Sequence, residues 1–219
     1  MTNKSLQAIL RARAVLLSLV MLAVLLAATQ TRADQGVILV WGDSLSAAYR
    51  MQEEQGWVAL LQEKLRTEGK HWRVVNGSVS GETTDGGLAR LPAMLSSTKP
   101  DIVILELGGN DGLRGLPVRN IRANLTTMIE LSQAAGAQVL LAGIQIPPNY
   151  GQRYTGPFYA QYSELAEHHG LALIPFLLEG IADNASLMQN DGIHPTAEAQ
   201  PMIVDVVWPV LAKLIGSDD

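Results

Sequence analysis

The chain contains no cysteine. Disulfides, thiol nucleophiles and thiolate metal sites are therefore excluded, and the core must hold the fold unaided. Positive charge is scarce too, with 16 Lys+Arg against 21 Asp+Glu and a net charge of −5. Such an acidic body is a poor partner for nucleic acid or an anionic membrane. Histidine occurs only four times. No His-Glu-x-x-His pattern or histidine cluster points to a metallohydrolase, so no metal and no other cofactor is expected. Any chemistry that needs an imidazole must draw on His71, His168, His169 or His194.

One long apolar run is present, at residues 14–28, and it carries no charge. Lys4, Arg11 and Arg13 precede it, and Thr31-Arg32-Ala33 follows with small residues at the −3 and −1 positions of a cleavage site. That pattern is a secretory signal peptide, and the run is shorter than the ~20 residues of a spanning helix. Cleavage after Ala33 would leave 186 residues and no stable membrane anchor. The lost segment takes four basic residues (Lys4, Arg11, Arg13, Arg32) and no acidic one. The mature chain then has 12 Lys+Arg against 21 Asp+Glu, a net charge of −9. Residues 34–219 suit one domain, with a monomer as the default.

Within that domain, short runs rich in Val, Ile and Leu alternate with amphipathic stretches. Residues 37–41, 73–75, 102–107, 139–146 and 171–174 read as strands buried on both faces. Helical patterns cover 57–66, 84–95, 118–135, 157–169 and about 196–215, with Gly136 and Gly170 as stops and Pro157 in a first turn. Repeated alternation of this kind predicts an α/β fold, a three-layer αβα sandwich around a five-stranded parallel sheet of flavodoxin-like order. The Gly/Pro-rich stretch 146–157 is a long loop, a type more often functional than idle.

Gly42-Asp43-Ser44-Leu45 falls where the first strand should deliver its last residues to the carboxyl edge of the sheet, where ligands bind. A serine there, just ahead of a new helix, can expose its Oγ as a nucleophile if a base is at hand. His71 precedes a strand at the amino edge, and His168 and His169 close a helix, where an imidazole suits the dipole. His194 differs. In Asp191-Gly192-Ile193-His194-Pro195 the acid can reach back to a ring nitrogen, fixing the tautomer and stabilising an imidazolium. Gly81, after the second strand, and Asn110, in Gly108-Gly109-Asn110-Asp111 after the third, are candidate oxyanion donors. Gly and Asn also populate ordinary turns, but all these groups fall at one edge of one sheet.

Gly42-Asp-Ser-Leu45, Gly81, Gly-Gly-Asn110-Asp and Asp191-Gly-Ile-His194-Pro resemble the four ordered blocks of the GDSL or SGNH hydrolases. Longer stretches, including Leu88-Ala-Arg-Leu-Pro92, 106–115 and Pro148-Asn-Tyr-Gly151, are similar to the exported bacterial thioesterase I/lysophospholipase/arylesterase group. The resemblance implies Ser44 as nucleophile, His194 as base and acid, and Asp191 as its orienter. It implies an oxyanion hole from the Ser44 and Gly81 N–H groups and the Asn110 amide. It also implies an SGNH hydrolase that cleaves acyl esters, thioesters or lysolipids through an acyl-enzyme, exported to the periplasm or beyond. Leu113, Leu116, Pro117, Ile146 and Pro147 are placed to supply an acyl pocket. Ala48 departs from the glycine common in close relatives and is expected to narrow the approach to Ser44.

Three alternatives are weighed. An α/β-hydrolase elbow needs Gly-x-Ser-x-Gly in mid-chain; here the fifth position is Ser46 and the serine follows the first strand. An SGNH carbohydrate acetylesterase would share the triad but have a small-acyl pocket. An exported binding module would carry the Ser-His pair without using it.

Overall fold

The computed structural model describes residues 35–216. The expected signal peptide lies outside the described residues. β1 (Gly36–Gly42) is an interior strand of the sheet, and Ile38 to Trp41 are wholly buried. Such an unbroken apolar run suits a strand covered on both faces. β2 (Trp72–Asn76) lies on one side of β1; β3 (Ile102–Glu106), β4 (Gln138–Ala142) and β5 (Ala172–Ile174) follow on the other. The order is β2-β1-β3-β4-β5, all parallel, the flavodoxin-like order expected. The chain goes from β1 outward to β2 and then returns to β3, so the strand order switches direction between β1 and β3. Ligands bind at such a crevice.

Alternate residues of each strand feed two cores. Ile38, Val40, Ile102 and Ile104 pack under α1 (Trp57–Thr67) and α6 (Gln200–Leu214). Leu39, Trp41, Val103 and Leu105 pack under α2 (Thr84–Thr98), α4 (Val118–Ala134) and α5 (Gln152–His169). The result is the three-layer sandwich, since each sheet face must bury its own apolar set.

Two boundaries and one element differ from expectation. The fourth strand stops at Ala142 rather than 146, because its β3 neighbour offers register only as far as Leu105 opposite Leu141. Ile144 and Ile146 stay buried, but as a cleft wall and not a ladder. α5 begins at Gln152, since Gly151 already accepts the N–H groups of Tyr154 and Thr155; Pro157 lies inside the helix, not in its first turn. A short helix, α3 (Gly109–Leu113), stands where no helical pattern was read.

Candidate active site

The register places Gly42 opposite Glu106, so the ends of β1 and β3 meet beneath the crevice. A Cβ on Gly42 would come within 2.5 Å of a Glu106 carboxylate oxygen, so only glycine admits that approach. Asp43, only 2% exposed, caps the turn that follows. Its Oδ1 accepts the Leu45 N–H at 3.0 Å, and its Oδ2 accepts the Asn110 amide at 3.0 Å. Leu45 is buried, and its carbonyl accepts the Trp57 indole N–H. No helix follows directly on Ser44, as a serine just ahead of a new helix would require. Residues 43–50 form successive turns, in which Ala48 and Arg50 have left-handed backbones at φ 52° and 57°, and the next α-helix waits until Trp57. Ser44 is therefore displayed on a tight, buried-edge turn.

His194 meets it from the other end of the chain. Its Nε2 lies 2.8 Å from Ser44 Oγ, and its Nδ1 lies 2.9 Å from Asp191 Oδ2. Asp191 Oδ1 also accepts the N–H groups of Ile193 and His194, both at 3.0 Å. Desolvation raises the Asp191 carboxyl, but those two backbone donors and the imidazole outweigh it and hold it down at about 2. An ionised Asp191 fixes the Nδ1–H tautomer and leaves Nε2 free to accept the Ser44 hydroxyl proton. His71 and the pair His168 and His169 sit before β2 and β5, at the amino edge, away from Ser44.

The donor side converges on the same spot. Gly81 adopts φ 80°, a left-handed backbone that favours glycine. The N–H groups of Ser44 and Gly81 donate to no acceptor among the described residues. Asn110 lies on the first turn of α3 and spends one amide N–H on Asp43. Asp111, 2% exposed, takes the Thr84 hydroxyl at 2.6 Å and the Thr84 N–H at 2.9 Å, fastening α3 to the loop that carries Gly81. Arg90 adds a second tie, pairing with Glu82 at 2.6 Å while its guanidinium lies 4.2 Å from the Trp41 ring centroid. That contact accounts for the arginine in the Leu88–Pro92 stretch.

A cleft of about 980 Å³ opens over Ser44. Leu113, Ile146 and Pro147 line it as expected, facing Phe176, Leu177 and Leu178. Leu116 and Pro117 do not. The chain turns away after Gly115; Leu116 is 38% exposed with its carbonyl held by Tyr154, and Pro117 leads into α4. Ala48 does not line the cleft either, because its Cβ packs towards Gly56. Approach to Ser44 is not narrowed by it.

Sequence reasoning passed over three residues. Tyr49 stacks on the His194 ring, centroids 4.1 Å apart. The Gln189 amide bridges the carbonyls of Tyr49 and Pro195, joining the two loops that carry Ser44 and His194. Glu106 is wholly buried, accepting the Ser46 hydroxyl at 2.7 Å and the Asp43 N–H at 3.2 Å. Burial first, then the nearby Asp43 charge, pushes its carboxyl well above the ordinary range against those two donors. Asp43, also buried, is pushed up to about 6 against the Leu45 N–H and the Asn110 amide, with Asp111 and Glu82 adding to the rise. An acid closing an otherwise apolar strand was the one signal that could have found Glu106.

Among the described residues no group of three His, Asp or Glu stands together as a metal site, and no helix is long and apolar enough to cross a membrane. Residues 40–200 match the GDSL-like lipase/acylhydrolase family. Esterase TesA of Pseudomonas aeruginosa is 52% identical over 93% of this chain and all of its own length. Thioesterase 1/protease 1/lysophospholipase L1 of Escherichia coli K12 is 44% identical, covering 83% of this chain and 86% of its own. A psychrotrophic esterase EstA from Pseudoalteromonas sp., solved inhibited by monoethylphosphonate, superposes with a TM-score of 0.80 at 44% identity, over 84% of this chain and all of that one. Sequence, sheet order and likeness thus agree, and the chain belongs to the GDSL-like lipase/acylhydrolase family, as an esterase.

Proposed function

We propose that this enzyme cleaves carboxylic esters and thioesters of fatty acyl chains, lysolipids included, through a Ser44 acyl-enzyme. The observation that carries the reading is the continuous line from Asp191 through His194 to Ser44, with hydrogen bonds of 2.9 and 2.8 Å. Ser44 Oγ attacks the acyl carbonyl carbon while its proton passes to His194 Nε2. Negative charge develops on the carbonyl oxygen, where the Ser44 and Gly81 N–H groups and the second Asn110 N–H stabilise it. The intermediate collapses, the carbon–oxygen or carbon–sulfur bond to the leaving group breaks, and His194 returns the proton to that group. Water, deprotonated by the same imidazole, then attacks the acyl carbon; the bond to Ser44 Oγ breaks, His194 returns the proton to Oγ, and the fatty acid is released.

The cleft supports a fatty rather than an acetyl substrate. Leu113, Ile144, Ile146 and Pro147 line the ~980 Å³ cleft and offer apolar surface for a chain. With residues 1–33 acting as a signal peptide, the mature enzyme would work in the periplasm on extracytoplasmic esters. The test is a panel of p-nitrophenyl esters, acyl thioesters and lysophospholipids, with fluorophosphonate labelling of the folded protein. Ser44→Ala should abolish labelling and lower every activity by roughly 10⁴-fold or more. An activity that survives in the variant would belong to another site and break the one-site reading.

A further inference from the structure

Glu106 is out of place by every rule of strand composition. It ends an apolar run, is wholly buried, and its Oε1 has no partner among the described residues. A buried carboxyl left half-satisfied is a burden on the fold, and such groups call for a functional account. Its location supplies one. Oε2 accepts from both ends of the turn that displays the nucleophile: the Asp43 N–H before Ser44 and the Ser46 hydroxyl after it. The same oxygen lies where a Gly42 side chain would otherwise project. Asp43, fixed in this way, in turn orients the Asn110 amide through its Oδ2.

We infer that Glu106 is a positioning residue that sets the oxyanion hole, holding the Ser44 N–H and, through Asp43, the Asn110 amide at one geometry. The inference rests on the serine-hydrolase reading above. Glu106 does not line the cleft, and its hydrogen-bond partners are Asp43 and Ser46; it acts through the turn. Both of its bonds are accepted by one oxygen, so the role needs an acceptor and not a negative charge. Full burial beside Asp43 favours the neutral acid, which fits that requirement. Glutamine, whose side-chain carbonyl can take the Oε2 place, should therefore substitute, whereas leucine of similar bulk should not.

The experiment compares Glu106→Gln, Glu106→Leu and Ser46→Ala with the wild type, all as full mature chains. Steady-state hydrolysis of a p-nitrophenyl ester gives kcat and KM, and an alkyl boronic acid, which mimics the tetrahedral intermediate, gives a Ki. Misplacing donors by a fraction of an ångström to an ångström costs on the order of 10²-fold in rate. Glu106→Leu should lose about that factor in kcat, with KM within roughly 3-fold, and its boronate Ki should rise in parallel. Ser46→Ala, which removes one of the two anchors, should lose about 10-fold, and Glu106→Gln should stay within about 3-fold of wild type. If Glu106→Leu fails to fold, Ser46→Ala carries the same test. A folded Glu106→Leu or Ser46→Ala with unchanged kcat and boronate Ki overturns the inference, as does a Glu106→Gln as impaired as Glu106→Leu. Ser44→Ala is run alongside. Its survival would instead overturn the serine mechanism itself, so the two failures are told apart.

Discussion

Two carboxylates stand on either side of the same serine and are held in opposite ways. Asp191 sits on a loop near the surface, and three donors, the Ile193 N–H and the N–H and Nδ1–H of His194, crowd around it. Asp43 lies beneath the turn, out of water, with the charges of Asp111 and Glu82 nearby. The first is held ionised at about 2, the second pushed up to about 6. Local backbone donors win where burial is slight; desolvation and like charge win where it is complete. The half proposed for acid–base work is thus a short, self-contained loop. The half proposed to hold the oxyanion is a buried network drawn from β1, β3, α2 and α3.

The sharpest contrast lies in turnover. Asp191→Asn leaves a neutral side chain that can hold the wrong tautomer, and kcat should fall on the order of 10⁴-fold. Asn110→Ala removes one donor from the other half and should cost about 10²–10³-fold. KM should change little in either variant, since both groups act mainly in the transition state. Steady-state kinetics on one ester decide it. Equal losses in the two variants would erase the proposed division between proton transfer and charge stabilisation.

The next contrast lies in stability. The folded state holds Asp191 below its ordinary 3.8, so its contribution is present above about pH 4 and lost as pH falls towards 2. After allowing for its partial exposure, about 1–2 kcal/mol is at stake. Asp43 has the reverse sign. Its folded value lies above 3.8, so its contribution is full below about pH 4 and declines as pH rises through 6. The change is about 2–3 kcal/mol. Urea unfolding of Asp43→Asn and wild type from pH 4 to pH 8 should show the wild type losing ground to the variant as pH rises. The gap between Asp191→Asn and wild type should close instead between pH 4 and pH 2. A difference independent of pH in both cases would remove the contrast.

The same division governs what could be read from the sequence. The strands were legible because Val37 to Trp41 and Ile102 to Leu105 are unbroken apolar runs, and the Asp191–His194 pair because the two residues lie three positions apart. Those signals are local. Asn110 was visible as a residue type at a strand end, but not its bond to Asp43, 67 positions away. Glu106 reaches Ser46 across 60 positions, and Gln189 reaches Tyr49 across 140. No periodicity encodes such pairings; they follow from the order of strands and the register between β1 and β3. Leu116 and Pro117 failed for a related reason. Apolar character places a residue near some apolar surface, and only the turn after Gly115 decides which one.

The smallest effect concerns the loop that joins the two halves. Ala48 stands at φ 52°, a left-handed backbone that costs a residue with a Cβ about 1–2 kcal/mol. Ala48→Gly relieves that strain but gives the unfolded chain more freedom, worth about 0.5–1 kcal/mol in the other direction. The variant should be between unchanged and about 1 kcal/mol more stable, measured by urea unfolding. Because the Cβ faces Gly56 and not the cleft, kcat and KM should stay within about 2-fold of wild type. The neighbouring Tyr49 gives the measurement its value, since its ring lies on His194 and its carbonyl is held by Gln189. A glycine that stabilises the protein while lowering kcat 5-fold or more would mean that a stiff 48–50 turn is what keeps His194 aligned with Ser44. The exposed half of the site would then depend on the nucleophile loop as closely as the buried half does.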